Sequence, residues 1–189
     1  MSVLILNGSP REGGNTQMLL ARVLDGIQAA GGDAEVVRLA RMRIAPCTAC
    51  GLCERAGLCA FDDDMSALAA RIAQVRHLII GSPIYFYGLP AQAKAFVDRC
   101  QVFWSRKHIL GQESACRGRF GYFVGVAATG GPKCFDGARL TLRYAFDAMN
   151  IVFRDEVVVR GVDARGAVRK RPESMQAAFE LGRHIGADP

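Results

Sequence analysis

The sequence predicts an α/β chain with one doubly wound sheet of five parallel strands and helices on both faces. Three observations carry this. Short, nearly continuous apolar runs recur along the chain, as strands buried on both faces require. Between them lie stretches with apolar residues at i, i+3 and i+4, the helical period. Strand and helix alternate five times without a repeat, a low-complexity tract or a linker, which implies right-handed βαβ crossovers within a single domain, residues 1–189.

The elements follow in order. "VLIL" (3–6) is the first strand, ending in "NGSPREGGNT". Residues 16–30 read as a helix, because Leu19, Leu20, Val23, Leu24 and Ile27 share one face, and Gly31-Gly32 stops it. "AEVVRLA" (34–40) is the second strand. A cysteine-rich insertion, about 41–64, has no periodicity. "DDDM" supplies an N-cap for a helix at about 65–75. "HLIIGSP" (77–83) is the third strand. "LPAQAKAFVDRC" (89–100) is a helix with Pro90 in its first turn. "FGYFVGVA" (120–127) is the fourth strand, and it runs into "ATGGPK". A helix over 134–148 has Leu140, Tyr144 and Met149 among its apolar positions. "IVFRDEVVV" (151–159) is the fifth strand, and "PESMQAAFELGRHI" (172–185) the closing helix.

Five strands of this kind suit the order 2-1-3-4-5. In such sheets a ligand sits beyond the carboxyl ends of the strands, at the switch between strands one and three. The glycine-rich and aromatic loops fall on that rim. "NGSPREGGNT" leads into a helix N-terminus, whose free N–H groups and positive dipole end suit a phosphate. It is neither a Walker loop nor G-x-G-x-x-G, and an ordinary capped turn would read the same way. "GSPIYFYGLPAQ" sets Ile84, Tyr85, Phe86 and Tyr87 at a strand end, where aromatics cover a flat ligand, another subunit or the domain's own core. "ATGGPK" adds a flexible stretch to the same rim. One loop for a phosphate and two for a flat heterocycle together fit FMN.

Composition narrows the class. Half of the residues are hydrophobic, and 189 residues bury roughly 70% of the unfolded surface. No run approaches the ~20 apolar residues of a membrane span, and "MSVLILNGSP" lacks the basic start of a signal peptide. The expected setting is the cytoplasm, where thiols stay reduced. The net charge of +6 gathers late, at Arg160, Arg165, Arg169, Lys170 and Arg171. These read as a solvated surface or a docking face for an acidic redox partner or phosphorylated dinucleotide. Nucleic acid is not expected, since no basic stripe is interleaved with stacking aromatics.

"LNGSPREGGNT", the cysteine run followed by "DDM", "GSPIYFYGLPAQAKAFVDR" and "ATGG" occur in this order across residues 4–131. In this the chain resembles the NADPH-dependent FMN reductase family, and within it the iron–sulfur flavoproteins. The resemblance implies a flavodoxin-like fold, bound FMN, and homodimers or homotetramers with FMN near subunit interfaces. It implies that the FMN phosphate rests on Ser9, Arg11, Asn15, Thr16 and Gln17. It implies that the isoalloxazine lies against Pro83, Ile84, Tyr85 and Phe86, with Thr129, Gly130 and Gly131 on its third side. The segment from 160 onward adds nothing to the resemblance.

Residues 47–59, "CTACGLCERAGLC", hold four of the seven cysteines as C-x2-C-x2-C-x5-C. A disulfide fits poorly with a reducing compartment. Zinc prefers two separated knuckles. C-x2-C-x2-C suits three corners of a [4Fe–4S] cluster, and the five residues before Cys59 give slack for the fourth. Cys47, Cys50, Cys53 and Cys59 are then the ligands, with Arg41, Arg43 and Arg55 offsetting the charge. Reduced thiols beside the flavin remain the alternative. Cys100, Cys116 and Cys134 lack ligand spacing and read as buried thiols, and Trp104 as packing or interface. No Ser/His/Asp or Cys/His catalytic pairing is arguable; the chemistry belongs to FMN. Three readings follow: an iron–sulfur flavoprotein passing electrons from a ferredoxin-like donor or NAD(P)H to oxygen, peroxide or quinone; a cluster-free NAD(P)H-dependent FMN or quinone reductase; and a flavin-binding sensor without turnover.

Overall fold

The computed structural model describes residues 3–112 and 118–188. Five strands form one all-parallel sheet: β1 (Val3–Asn7), β2 (Ala34–Arg38), β3 (His77–Pro83), β4 (Phe120–Val126) and β5 (Val152–Val159). Their order is β2-β1-β3-β4-β5, as expected, with the reversal between β1 and β3. Val3 stands beside Ala34 on one side and His77 on the other. β1 is buried along its whole length, because helices cover both faces.

Among the described residues there are seven α-helices, α1 (Asn15–Ala29), α2 (Leu52–Ala56), α3 (Asp64–Ile72), α4 (Ala91–Arg99), α5 (Gln101–His108), α6 (Asp136–Ala148) and α7 (Pro172–Gly186), and two short 3-10 helices, Leu39–Arg41 and Ala167–Lys170. One core layer packs Leu4, Leu6, Leu78, Ile80 and Phe123 against α3, α4 and α6. The other packs Val3, Ile5, Ile79 and Val124 against α1 and α7. α1 and α7 cross closely. A Cβ at Gly26 would stand 2.0 Å from the Phe179 carbonyl oxygen, and one at Gly182 would stand 2.0 Å from that of Val23. Only hydrogen fits at this crossing.

Two local expectations change. The helix predicted to end at residue 100 is followed directly by α5, so Trp104 is helical; it is partly exposed and packs on His108 at 5.3 Å. In α6 the core face is Ala138, Leu142, Ala145 and Phe146, while Leu140 and Tyr144 are exposed. Cys100 and Cys134 are buried, and burial pushes the Cys100 thiol far up, leaving it inert. Cys116 lies outside the described residues. No helix among them is long and apolar enough to cross a membrane.

Candidate functional site

The β1–α1 loop is shaped by its own small residues. Asn7 accepts the Ser9 N–H through Oδ1 at 2.9 Å, an Asx turn that folds the chain back. Gly8 donates to the Gly81 carbonyl at 2.8 Å, and a Cβ there would meet that of Ala93 at 2.9 Å. Gln17 Oε1 accepts the Gly13 N–H at 2.9 Å, so this side chain braces the loop. α1 then starts at Asn15 with Gly14 as its cap. No side chain caps it, and no acidic residue sits in its first turn. A helix end left with bare N–H groups and no carboxylate fits a phosphate.

A cleft opens in front of this helix end. Ser9, Arg11, Gly14, Asn15 and Thr16 line one side; Pro83, Ile84 and Tyr85 line a second; Val126 and Ala128 close the third. The three loops therefore meet, as their placement at strand ends requires. Phe86 and Thr129–Gly131 stand outside its walls. Phe86 and Tyr87 occupy the two centres of a tight turn closed by reciprocal bonds between Tyr85 and Gly88 (3.0 and 2.9 Å). Both adopt positive φ, 48° and 63°, a conformation costly for aromatic residues, and Phe86 is fully exposed. Gly131 lies beside Tyr87, 3.7 Å from its hydroxyl to an added Cβ.

A fourth wall, Val162 and Asp163, is one that sequence reasoning missed. Arg11 Nη1 donates to the Asp163 carbonyl at 3.0 Å, and Asn15 Nδ2 donates to the Ala164 carbonyl at 2.9 Å. Asn15 Oδ1 accepts the Val168 N–H at 3.2 Å. The Asn15 amide thus straps residues 163–168 across the loop. A single Asn in "GGNT" carries no signal of a partner some 150 residues away.

The four motif cysteines are all free. All four line one cavity of about 300 Å³, together with Phe61, Asp98, Arg99, Gln101 and Val102. The loop reaches this shape through three left-handed residues, Ala49, Gly51 and Gly57. Two sulfurs already accept hydrogen bonds: Cys47 from the Ala49 N–H (3.5 Å) and Cys53 from the Ser105 hydroxyl (3.4 Å). Among the described residues no group of three or more His, Cys, Asp or Glu converges on a single-ion site. A cubane takes one thiolate per corner, so its ligands surround a volume and do not converge on a point. Four thiols around one cavity, two of them with donors in place, fit such a group.

The neck of this loop is held by Asp63 and Arg99. Asp63 accepts the N–H groups of Ala45 (2.9 Å) and Met65 (3.1 Å), the latter capping α3. Arg99 pairs with it through two bonds, 2.7 and 3.0 Å. Burial alone would raise the Asp63 pKa, but these bonds outweigh it and hold the carboxyl below its usual value. Of the arginines expected beside the cysteines, Arg55 stays in the loop, its Nη1 3.6 Å from a Cβ built on Gly51 of the cavity wall. Arg41 turns to Glu12 of the β1–α1 loop (3.0 Å), and none of Arg41, Arg43 and Arg55 lines the cavity; the cation in its wall is Arg99.

The cysteine cavity is walled by the end of α4, whereas the loop lining the cleft precedes its start. The nine residues of α4 span about 13 Å, so within one chain the two pockets lie toward opposite ends of that helix.

A parallel 2-1-3-4-5 sheet with an anion-ready helix end at its switch point defines a flavodoxin-like mononucleotide-binding protein. Residues 1–162 match the model of the NADPH-dependent FMN reductases, and the chain belongs to that family, a family of flavin oxidoreductases. An iron–sulfur flavoprotein of Methanosarcina thermophila is 30% identical over 151 residues, 80% of this chain and 74% of that protein. One from Methanocaldococcus jannaschii is 36% identical over 99 residues, 52% of this chain and 51% of its own. The chain thus spans about half the length of some curated relatives. In fold it is similar to an NAD(P)H:quinone oxidoreductase from Methanothermobacter marburgensis, with a TM-score of 0.77, 19% identity, and coverage of 98% and 96% of the two chains.

Proposed function

We propose that this protein is an FMN-dependent oxidoreductase of the iron–sulfur flavoprotein type, carrying a [4Fe–4S] cluster on Cys47, Cys50, Cys53 and Cys59. The observation that carries this reading is that the four free thiols of the motif wall one cavity. Relatives named as iron–sulfur flavoproteins support it. Bound FMN would supply one- and two-electron transfer, and a cluster single electrons.

The chain's own residues bind and orient. The bare start of α1, with Ser9, Arg11 and Thr16, would hold the phosphate. Pro83, Ile84 and Tyr85 would lie along the ring, and Gly130 and Gly131 would leave its edge open to an acceptor such as oxygen, peroxide or quinone. Phe86, fully exposed on its turn, is free to meet an acceptor or a second subunit of a homodimer or homotetramer. Electrons would enter from a ferredoxin-like donor or NAD(P)H. Four free thiols suit a reducing, cytoplasmic setting.

Purification without air, followed by iron, sulfide and FMN counts, tests this directly. The expected result is about four irons and one FMN per chain. Cys50→Ala should lose the iron and keep FMN; a variant that retains iron and sulfide sinks the ligand assignment. A second reading, a cluster-free NAD(P)H-dependent FMN or quinone reductase, draws on a relative from Bacillus subtilis named as a putative NAD(P)H-dependent FMN-containing oxidoreductase, 32% identical over 106 residues. FMN without iron, with rapid NADPH oxidation, would establish it.

A further inference from the structure

The cysteine cavity has one wall that the motif does not supply. Arg99 lines it from the end of α4, with its side chain 1% exposed. Its terminal nitrogens are engaged: Nη1 donates to Asp63 Oδ2 (2.7 Å) and the Ala45 carbonyl (2.9 Å), and Nη2 to Asp63 Oδ1 (3.0 Å). Ala45 precedes the first motif cysteine and Asp63 follows the last. One side chain therefore clasps both ends of the loop. Its Nε–H is different: it is buried and has no acceptor. The guanidinium lies 4.9 Å from the ring of Phe61, which shields that face from water.

A buried donor without an acceptor is destabilising, so a partner for this N–H is indicated. Cys59 answers this. Its side chain and that of Arg99 line the same cavity. A thiol is a weak acceptor, whereas an iron-bound thiolate is a charged one and makes a stronger bond. Cys59 is also the ligand on the longest tether, with five residues between it and Cys53, and gains most from being fixed.

We propose that Arg99 is a positioning residue for the cluster: its guanidinium donates to the Cys59 sulfur once that sulfur ligates iron, fixes the fourth ligand, and raises the cluster's reduction potential. The inference rests on the cluster reading above. The sign follows from charge: a cation and a donor at a ligand sulfur stabilise the reduced, more negative cluster.

Two variants test it. Arg99→Lys keeps a cation for Asp63 but loses Nε and the planar fork. The double variant R99Q/D63N removes both charges, so no buried charge is left alone. Each is reconstituted without air with iron and sulfide and titrated by EPR, with FMN content and far-UV circular dichroism as fold controls. The expected result is native dichroism and full FMN in both, with the cluster's midpoint moved to a more negative value and iron lost faster in air. Unchanged midpoint and iron retention in both overturn the inference while leaving the cluster reading intact. Misfolding of both also overturns it, since Arg99 would then serve the fold alone. Wild-type protein that takes up no iron overturns both together.

Discussion

Asp163 sets a carboxylate at the mouth of a cleft shaped for a phosphate. Its carboxylate stands 4.0 Å from Arg11, and both groups are well exposed, so the pair itself contributes little. Its effect on an incoming dianion is repulsion at close range. Asp163→Asn should tighten FMN binding by about two- to five-fold, the ~0.5–1 kcal/mol of an exposed charge contact. Flavin-fluorescence titration at low salt reads this, and equal or weaker binding would show that Asp163 orders the loop instead. Arg11→Ala should weaken binding ten-fold or more, since a charge-assisted bond contributes ~1.5–3 kcal/mol. Among these residues Ser9, Arg11 and Thr16 were legible because a βα loop of Ser, Arg, Gly and Thr has a short-range meaning. Asp163 and the strap from Asn15 were not, because their role comes from contacts across the whole chain.

The five strands and the helices α1, α3, α4, α6 and α7 were legible to within a few residues, since each apolar run and each helical period is a local pattern; α2 and α5 were not. What locality hides is how they touch. α7 lies in a segment with no motif, yet it seats α1, the helix whose start forms the anion site. The crossing works because Gly26 and Gly182 bring backbone against backbone. Gly182→Ala would force the two helices apart and should cost ~1–3 kcal/mol or more. A lower melting temperature together with weaker FMN binding is the expected outcome. A variant that melts like wild type would mean that α1 shifts freely. The same reasoning explains Arg99. Nothing local in "AFVDR" marks it; it becomes a buried clasp because the cysteine loop folds over that end of α4.

Across the whole molecule, a buried histidine ties the C-terminal segment beneath the sheet. His77 Nε2 lies 2.9 Å from the Asp188 carbonyl and Nδ1 3.3 Å from the Tyr122 hydroxyl. This geometry suits the neutral ring, with Nε2–H donating to the carbonyl and Nδ1 accepting from tyrosine. Burial lowers its pKa below the ordinary 6.5. The sign follows: the stabilising preference for neutral His77 is fully present above about pH 6.5, the unfolded value, and is lost as pH falls toward the folded pKa. Denaturant unfolding should therefore show stability falling below about pH 6.5, more steeply in wild type than in His77→Asn. Identical slopes would remove His77 from the account.

The pattern of apolar runs and helical periods was enough to specify the sheet, its order and the rim of loops, because strand burial and turn chemistry are written in neighbouring residues. The cysteine spacing was enough to mark a candidate ligand set. Only the folded chain decided where those features stand. It set the cysteine cavity at the far end of α4 from the cleft, strapped residues 163–168 over the β1–α1 loop, and put Arg99 in the cavity's wall. These are long-range choices, made by which surfaces close-pack and which buried polar groups find partners, and neighbouring residues do not encode them.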